Sequence, residues 1–393
     1  MDDIKGAAPD IEPYEPDADR SGTDRAGGDT GLNRSDTGLN SSDAEPNRSD
    51  TELTDADFEL SSKEEKEGFI ELSPSVGYWA DAWRRLRKNT VSMIALGVIA
   101  FLLLFAFAGP LLIPYRYNEQ IRTSLNLAPM QYSEAELAKI AAGERVFPHV
   151  FGTDTHGRDS LVRVMTGARV SISIGVLAAL LVLLIGSVYG AVSGLLGGMA
   201  DNIMMRIVEI LSSIPDILVI LLIAVTLKPA LDNFINSNRD TAIAKFITVL
   251  GPSMIAIFIA FALLYWVSMA RIIRGLVLQL KEQEYVTAAR ALGAGNARII
   301  RRHLLPNCIG SMIAATCLEI PMAIFLESFL SYLGVGVQAP LTSLGSMCSD
   351  ALGGMYTYTY RLVIPAVILL VLLLSFNLFG DGLRDALDPR LKK

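Results

Sequence analysis

The stretch EYVTAARALGAGNARIIRRHLLPN, Glu284 to Asn307, lies between hydrophobic segments that are each long enough to cross a bilayer. Tyr285, Ala288, Ala289 and Leu292 stand at i, i+3, i+4 and i+7, which makes one apolar stripe on a helix. The stripe is small enough to seat in a groove of another protein. Gly293, Ala294 and Gly295 supply a chain reversal that bulkier residues would resist, and Glu282 and Glu284 stand where a helix N-terminus favours negative charge. The helical period then restarts with Ile299, Ile300, His303 and Leu304 opposite Arg298, Arg301 and Arg302, and Pro306 is expected to end it. A polar pair of short helices in this position predicts a surface made to touch another protein.

Working outward, stretches of about 20 apolar residues predict six spans, at about 91–113, 170–195, 205–227, 246–270, 309–331 and 362–380. The fold class is therefore an all-α polytopic membrane protein whose ends return to one side. Arg84, Arg85, Arg87 and Lys88 precede the first span, seven Lys or Arg lie from Arg271 to Arg302, and Arg384, Arg390, Lys392 and Lys393 close the chain. These clusters share one face, which the positive-inside rule makes cytoplasmic. The connection between the first two spans is also basic, with Arg116, Arg122, Lys139, Arg145, Arg158, Arg163 and Arg169, but the opposite orientation would put the two-helix segment outside the cell. Trp79 and Trp83, one turn apart beside the first cluster, predict an interfacial helix within 73–90.

Of the 41 acidic residues, 21 fall within the first 71 positions, against 7 basic ones, so that stretch carries about −14 and the remainder about +7. Its near-tandem repeats DTGLNRS (Asp29 to Ser35) and DTGLNSS (Asp36 to Ser42) offer too little apolar surface to offset the entropy of ordering. Residues 1–72 are read as a disordered acidic cytoplasmic tail, without a signal peptide ahead of the first span. Cys308 and Cys317 are nine apart, on opposite faces of a helix and about 13 Å from each other, so they do not pair.

The 284–307 segment resembles the cytoplasmic loop of inner-membrane permeases from binding-protein-dependent ABC importers: EAA, three residues, G, nine residues, I, one residue, LP. The match is Ala288, Ala289, Gly293, Leu305 and Pro306, with Thr287 at the Glu position and His303 at the Ile position. Glu284, one turn earlier on the same face, stands in for the missing acid. The resemblance continues in order through YWADAWRRLRKN (Tyr78 to Asn89), FGTDTHGRDSLVRVMTGARVS (Phe151 to Ser171), LESFLSYLGVGVQAP (Leu326 to Pro340) and NLFGDGLRDALDPRLKK (Asn377 to Lys393), and it is to the C-type member of the dipeptide, oligopeptide and nickel branch. It implies a permease domain over 91–393 with a coupling loop at 284–306, working in the cell membrane as a heterodimer with a second permease. Two cytoplasmic ATPases that use ATP and Mg, an extracytoplasmic solute-binding protein and membrane lipid are the other implied partners; nucleic acid is not one.

Ionisable residues inside the spans are expensive and point to a pathway. Asp216, after Pro215 at a broken helix, Glu319 and Glu327 are the candidates, and Glu209 is read as hydrated near a span end. Glu327 matches an acid of the family pattern; Glu319 does not. The chain has no phosphate-binding GxxxxGK[ST] and not even a Gly-Lys dipeptide, so energy must enter through another polypeptide and this chain is not itself expected to be an enzyme. His149, His156 and His303 have no metal-ligand spacing, and His149 and His156 are read as part of a solvated loop with Asp154 and Asp159. The cargo is expected to be di- or oligopeptide. The alternatives are nickel or another small solute, or a proton-coupled secondary transporter that uses acids such as Asp216 and Glu327.

Overall fold

A computed structural model describes residues 77–339 and 341–387; the expected tail, 1–72, lies outside them. The first described helix, α1 (Tyr78–Lys88), buries Ala82 and Leu86 and leaves Trp79 and Trp83 about half exposed, as an amphipathic surface helix does. Asn89 ends it and caps α2 (Thr90–Phe107), its side chain accepting from the Ser92 N–H. Pro110 then opens a separate short turn, α3 (Gly109–Leu112), so the first long helix stops before the expected 113.

Residues 113–159 form a folded connection around α4 (Glu134–Ala141), whose N-terminus is closed by a Ser133–Glu136 capping box. The Asp159 side chain caps α5 (Ser160–Leu196) by accepting from the Val162 N–H. α5 has 37 residues, about 55 Å, so it exceeds a hydrocarbon core of about 30 Å. It begins ten residues before the expected span, because Arg163 and Thr166 belong to the helix although their polarity hides it from a hydropathy reading.

The expected third span, 205–227, is corrected. Ile214 and Pro215 are extended and divide it into α6 (Gly198–Ser213) and α7 (Asp216–Ser237), and it is α7 that is long and apolar enough to cross. The expected fourth span is likewise cut at Gly251, whose φ of 87° separates α8 (Ala242–Leu250) from α9 (Pro252–Leu264). α9 runs through Tyr265 into α10 (Trp266–Leu280), and the two form one candidate span. Next come α11 (Glu284–Ala291), α12 (Asn296–Ile299), α13 (Leu305–Tyr332), α14 (Leu344–Ala351) and α15 (Tyr360–Leu387). Six candidate spans are present among the described residues, and no sheet, only an isolated bridge between Thr153 and Asp159.

α5 is the axis of the packing, with α10 and α13 along it, α15 on α13, and α2 on α15. Gly186, Gly190 and Gly194 line the face of α5 that meets α10. A Cβ at Gly186 would lie 2.7 Å from the Trp266 carbonyl oxygen and one at Gly194 3.0 Å from that of Arg274, so only glycine permits this approach. The helices touch backbone to backbone, as apolar spans do where small residues face one another.

Candidate functional site

α10 hands the chain to α11 through Lys281–Gln283, and the segment returns through a reversal at Gly293, whose φ of 83° is the left-handed geometry expected there. Val286, Ile299 and Leu304 are fully buried with Cys308 against Ile273 and Val277 of α10 and Ala191 and Leu195 of α5. This apolar face holds the segment to the spans. Tyr285, Ala288 and Leu292 face away, Leu292 being 88% exposed, together with Glu284 and Thr287.

Ala289 departs from the expected stripe. It is 9% exposed, on the inward side with Val286 three residues before it. At about 100° per residue, positions 285, 288 and 292 share one flank of the helix while 286 and 289 share the next, and the latter meets the core. The outward surface is therefore Tyr285, Ala288 and Leu292 without Ala289. Around it Arg290, Arg298, Arg301 and Arg302 are all exposed, and among the described residues none has an ion-pair partner.

Pro306 does not end the second helix, contrary to expectation. Ile300–Leu304 widens into a π-helical turn, with the Leu305 N–H donating to the Ile300 carbonyl, and α13 continues from it with Pro306 in its first turn. At that position the missing N–H costs nothing and the wider turn relieves the ring, so the segment connects directly to a span. Leu305 is half-buried and Pro306 exposed. Asn307 Nδ2 donates to the His303 carbonyl at 2.6 Å and to Tyr285 Oη at 3.3 Å, which ties the two arms of the segment together.

The three candidate acids do not form one group. Asp216 and Glu319 border a cavity of about 590 Å³ with Tyr265, Ser268, Phe325 and Asn377, and Tyr265 Oη donates to Asp216 Oδ2 at 2.9 Å. Among the described residues no Lys or Arg lines that cavity, and Arg271 reaches only the neighbouring one beside Asp216. The break at Pro215 thus does place Asp216 at a cavity. Glu327 lies elsewhere: it is fully buried, accepts from Ser171 Oγ at 2.8 Å, Ser331 Oγ at 2.7 Å and Ser328 Oγ at 3.3 Å, and borders neither cavity. Its contacts join α5 to α13. Glu209 is exposed and paired with Arg206 at 2.9 Å.

Two polar clusters were not foreseen. In the 113–159 connection His149 is fully buried, not solvated: Nδ1 is 2.7 Å from Asp159 Oδ2, Nε2 is 3.1 Å from Glu136 Oε1, and Tyr115 stacks on the ring at 4.6 Å. Burial opposes a charged imidazole, but the hydrogen bonds to Asp159 and Glu136 outweigh it and raise the pKa above its ordinary value. The Glu136 carboxyl falls below the usual range because hydrogen bonds from Ser133, Ser124 and His149 overcome its burial. Beside them Asp154 receives Arg163 and Arg158 at 2.6 Å each, and Arg163 reaches on to Asp350 at 3.0 Å. Among the described residues no His, Cys, Asp and Glu group suits a metal ion.

The second cluster joins Asp201 in the first turn of α6 to Arg274 of α10 and Ser193 of α5. The Arg274 guanidinium holds the Asp201 carboxyl below the usual carboxylate range despite its burial. The fourth span expected from sequence ends at 270 and leaves Arg274 in the basic cluster beyond it, whereas the structure carries that span on to Leu280 and gives the arginine a buried acceptor.

The inner-membrane-component model of binding-protein-dependent transport systems matches residues 186–393, which include the whole 281–307 segment, Asp201 and all three acids. The chain belongs to that family. A second model, the N-terminal TM domain of oligopeptide transport permease C, matches this inner membrane component over residues 77–129. The dipeptide transport system permease protein DppC of Bacillus subtilis is 40% identical to it over 334 residues, covering 85% of this chain and 92% of the relative. The oligopeptide transport system permease protein OppC of the same organism is 41% identical over 319 residues, covering 81% and 92%. Among solved structures, a chain of the inward-facing MetNI methionine ABC transporter aligns with a TM-score of 0.42 at 18% identity, covering 57% of this chain and 96% of that one.

Proposed function

We propose that this inner membrane component is one of two permeases of an ATP-driven importer of di- or oligopeptides, and that residues 284–306 are where a cytoplasmic ATPase engages it. One observation carries the second part: the segment is held to α5 and α10 by Val286, Ile299 and Leu304, while Tyr285, Ala288 and Leu292 point away and four arginines have no ion-pair partner among the described residues. A surface of that composition suits helix-in-groove recognition rimmed by charge. Peptide as cargo is supported by the names of the relatives. A second permease, two ATPases using ATP and Mg, and an extracytoplasmic binding protein complete the proposed assembly.

In this reading both ends of the chain lie in the cytoplasm, residues 1–72 form a cytoplasmic tail, and α1 is an elbow at the membrane surface. Closure of the ATPases displaces α11, and the spans switch access from one side to the other. Asp216 and Glu319 are proposed to line the pathway; the enclosed Glu327 is proposed to brace it. A proton-coupled transporter acting alone is the rival, favoured by the two acids that share a cavity with Tyr265. Uptake by proteoliposomes holding the full assembly separates them. ATP-dependent, uncoupler-resistant peptide uptake is expected, and uptake by this chain alone that collapses with the proton gradient would overturn the assignment.

A further inference from the structure

Two arginines one turn apart on α10 grip opposite ends of α6. Arg274 donates from Nε and Nη2 to Oδ1 and Oδ2 of Asp201, both at 2.6 Å, in the two-pronged geometry that fixes orientation as well as distance. Arg271 donates to Ser212 Oγ in the last turn of α6. Asp201 is 6% exposed and also accepts from Ser193 Oγ near the end of α5. Lys281, the first residue past α10, brings Nζ beside Gly197 in the α5–α6 turn.

That turn has two successive glycines at positive φ, Gly197 at 63° and Gly198 at 57°, so it supplies little stiffness of its own. α10, by contrast, is seated backbone to backbone on α5 and continues into α11 through only three residues. A displacement of α11 therefore carries α10 with it. It reaches α6 through Val208, packed near Trp266 and Ala270, and through the two arginines. Beyond α6 stands the Pro215 break, where Asp216 meets the cavity.

We propose that Asp201 and Arg274 are positioning residues for transport, fixing α6 to the helix that leads into the coupling segment so that movement of α11 is delivered to the Pro215 break. This rests on the transport reading above. The Asp201 side chain is 8% exposed and that of Arg274 31%, so the pair also adds stability, and a positioning role is told from a stabilising one by the ratio of uptake to hydrolysis in complexes that assemble.

The test uses the full assembly in proteoliposomes, with peptide uptake and ATP hydrolysis measured on the same vesicles. Asp201→Asn and Arg274→Gln are expected to assemble and to hydrolyse ATP within about twofold of wild type, while peptide moved per ATP falls by about tenfold or more, a loss typical of broken coupling between sites. Arg206→Gln, which opens the exposed Arg206–Glu209 pair on the same helix, should leave that ratio unchanged. If Asp201→Asn does not assemble, Arg274→Lys carries the test, since it keeps the charge but loses the fork, and a partial fall in the ratio is expected. An unchanged ratio in the variants that assemble, or uptake and hydrolysis falling together with the yield of complex, overturns the proposal. Absence of ATP-driven uptake by the wild-type assembly would instead overturn the transport reading, and the inference with it.

Discussion

The connection between α2 and α5 and the connection between α10 and α13 are both polar, and both join long apolar helices, yet they handle charge in opposite ways. In the first, His149 meets Glu136 and Asp159, and Asp154 meets Arg158 and Arg163 of α5, so the buried charges close within the chain and only outer residues such as Arg122, Lys139 and Arg145 stay exposed. In the second, Arg290, Arg298, Arg301 and Arg302 meet nothing within the described residues, and only the apolar face is anchored. A closed network holds its own shape. The open one is the surface proposed to meet another molecule, and this difference in pairing separates the two segments more sharply than composition does.

The largest test of that contrast is Asp154→Ala, which would leave the buried Arg163 with only the exposed Asp350 to balance it. A loss of about 3–5 kcal/mol is expected from stranding a buried charge, read from unfolding of the purified chain in detergent. A loss under about 1 kcal/mol would mean that the network is no tighter than an ordinary surface pair.

Ala289 and Leu292 sharpen the comparison within the second segment. Ala289→Asp should cost about 2–3 kcal/mol of the chain's own stability by putting a carboxylate against the core. Leu292→Asp and Ala288→Asp should change stability by no more than about 0.5 kcal/mol and yet abolish co-purification of the ATPase. If all three behave alike in both assays, the two-faced description of α11 is wrong.

Gly293→Val is expected to cost about 1–2 kcal/mol through the positive φ alone, because a Cβ there meets nothing within 4 Å. Thermal unfolding with ATPase co-purification distinguishes this strain from a lost contact: the variant should be mildly less stable and dock poorly.

The closed network should respond to pH. His149 has a folded pKa above its unfolded value of 6.5, so its stabilising contribution is complete below 6.5 and fades as pH rises through the folded value. Glu136 and Asp154 are depressed, so theirs is present above the ordinary carboxylate range and is lost as pH falls through their folded values. Protection against hydrogen exchange over residues 126–160, taken relative to the intrinsic amide rate at each pH, should therefore fall on the alkaline side, and His149→Gln should flatten that response; protection indifferent to pH in the wild type would refute the closed pairing. The smallest effect is expected from Thr287→Glu, exposed on the open segment: stability within about 0.5 kcal/mol and uptake retained, measured by thermal unfolding and proteoliposome transport.

The number of membrane-crossing helices, the two-helix segment and its turn at Gly293 were legible from sequence, because hydropathy and helical period are properties of neighbouring residues. Span limits were less so. Pro215 and Gly251 cut apolar runs that a sliding reading joins, and the polar first turns of α5 hid its beginning. Pro306 looked like a terminator, since sequence cannot reveal that a π-helical turn precedes it.

The site divides along the same line. Tyr285, Ala288 and Leu292 could be placed on one face by period alone, but whether Ala289 belonged with them depended on which flank α5 and α10 would cover. Glu327 and Asp216 read alike as acids in apolar surroundings, and only the packing enclosed one among serines while opening the other to a cavity. The Asp201–Arg274 pair spans 73 residues and the Ser171–Glu327 bond 156, separations over which no local pattern speaks. Sequence by itself determined which segments enter the membrane and which carry charge, because transfer from water is decided residue by residue. The tertiary structure alone decided which charges are satisfied, because a partner exists only once distant helices have been brought together.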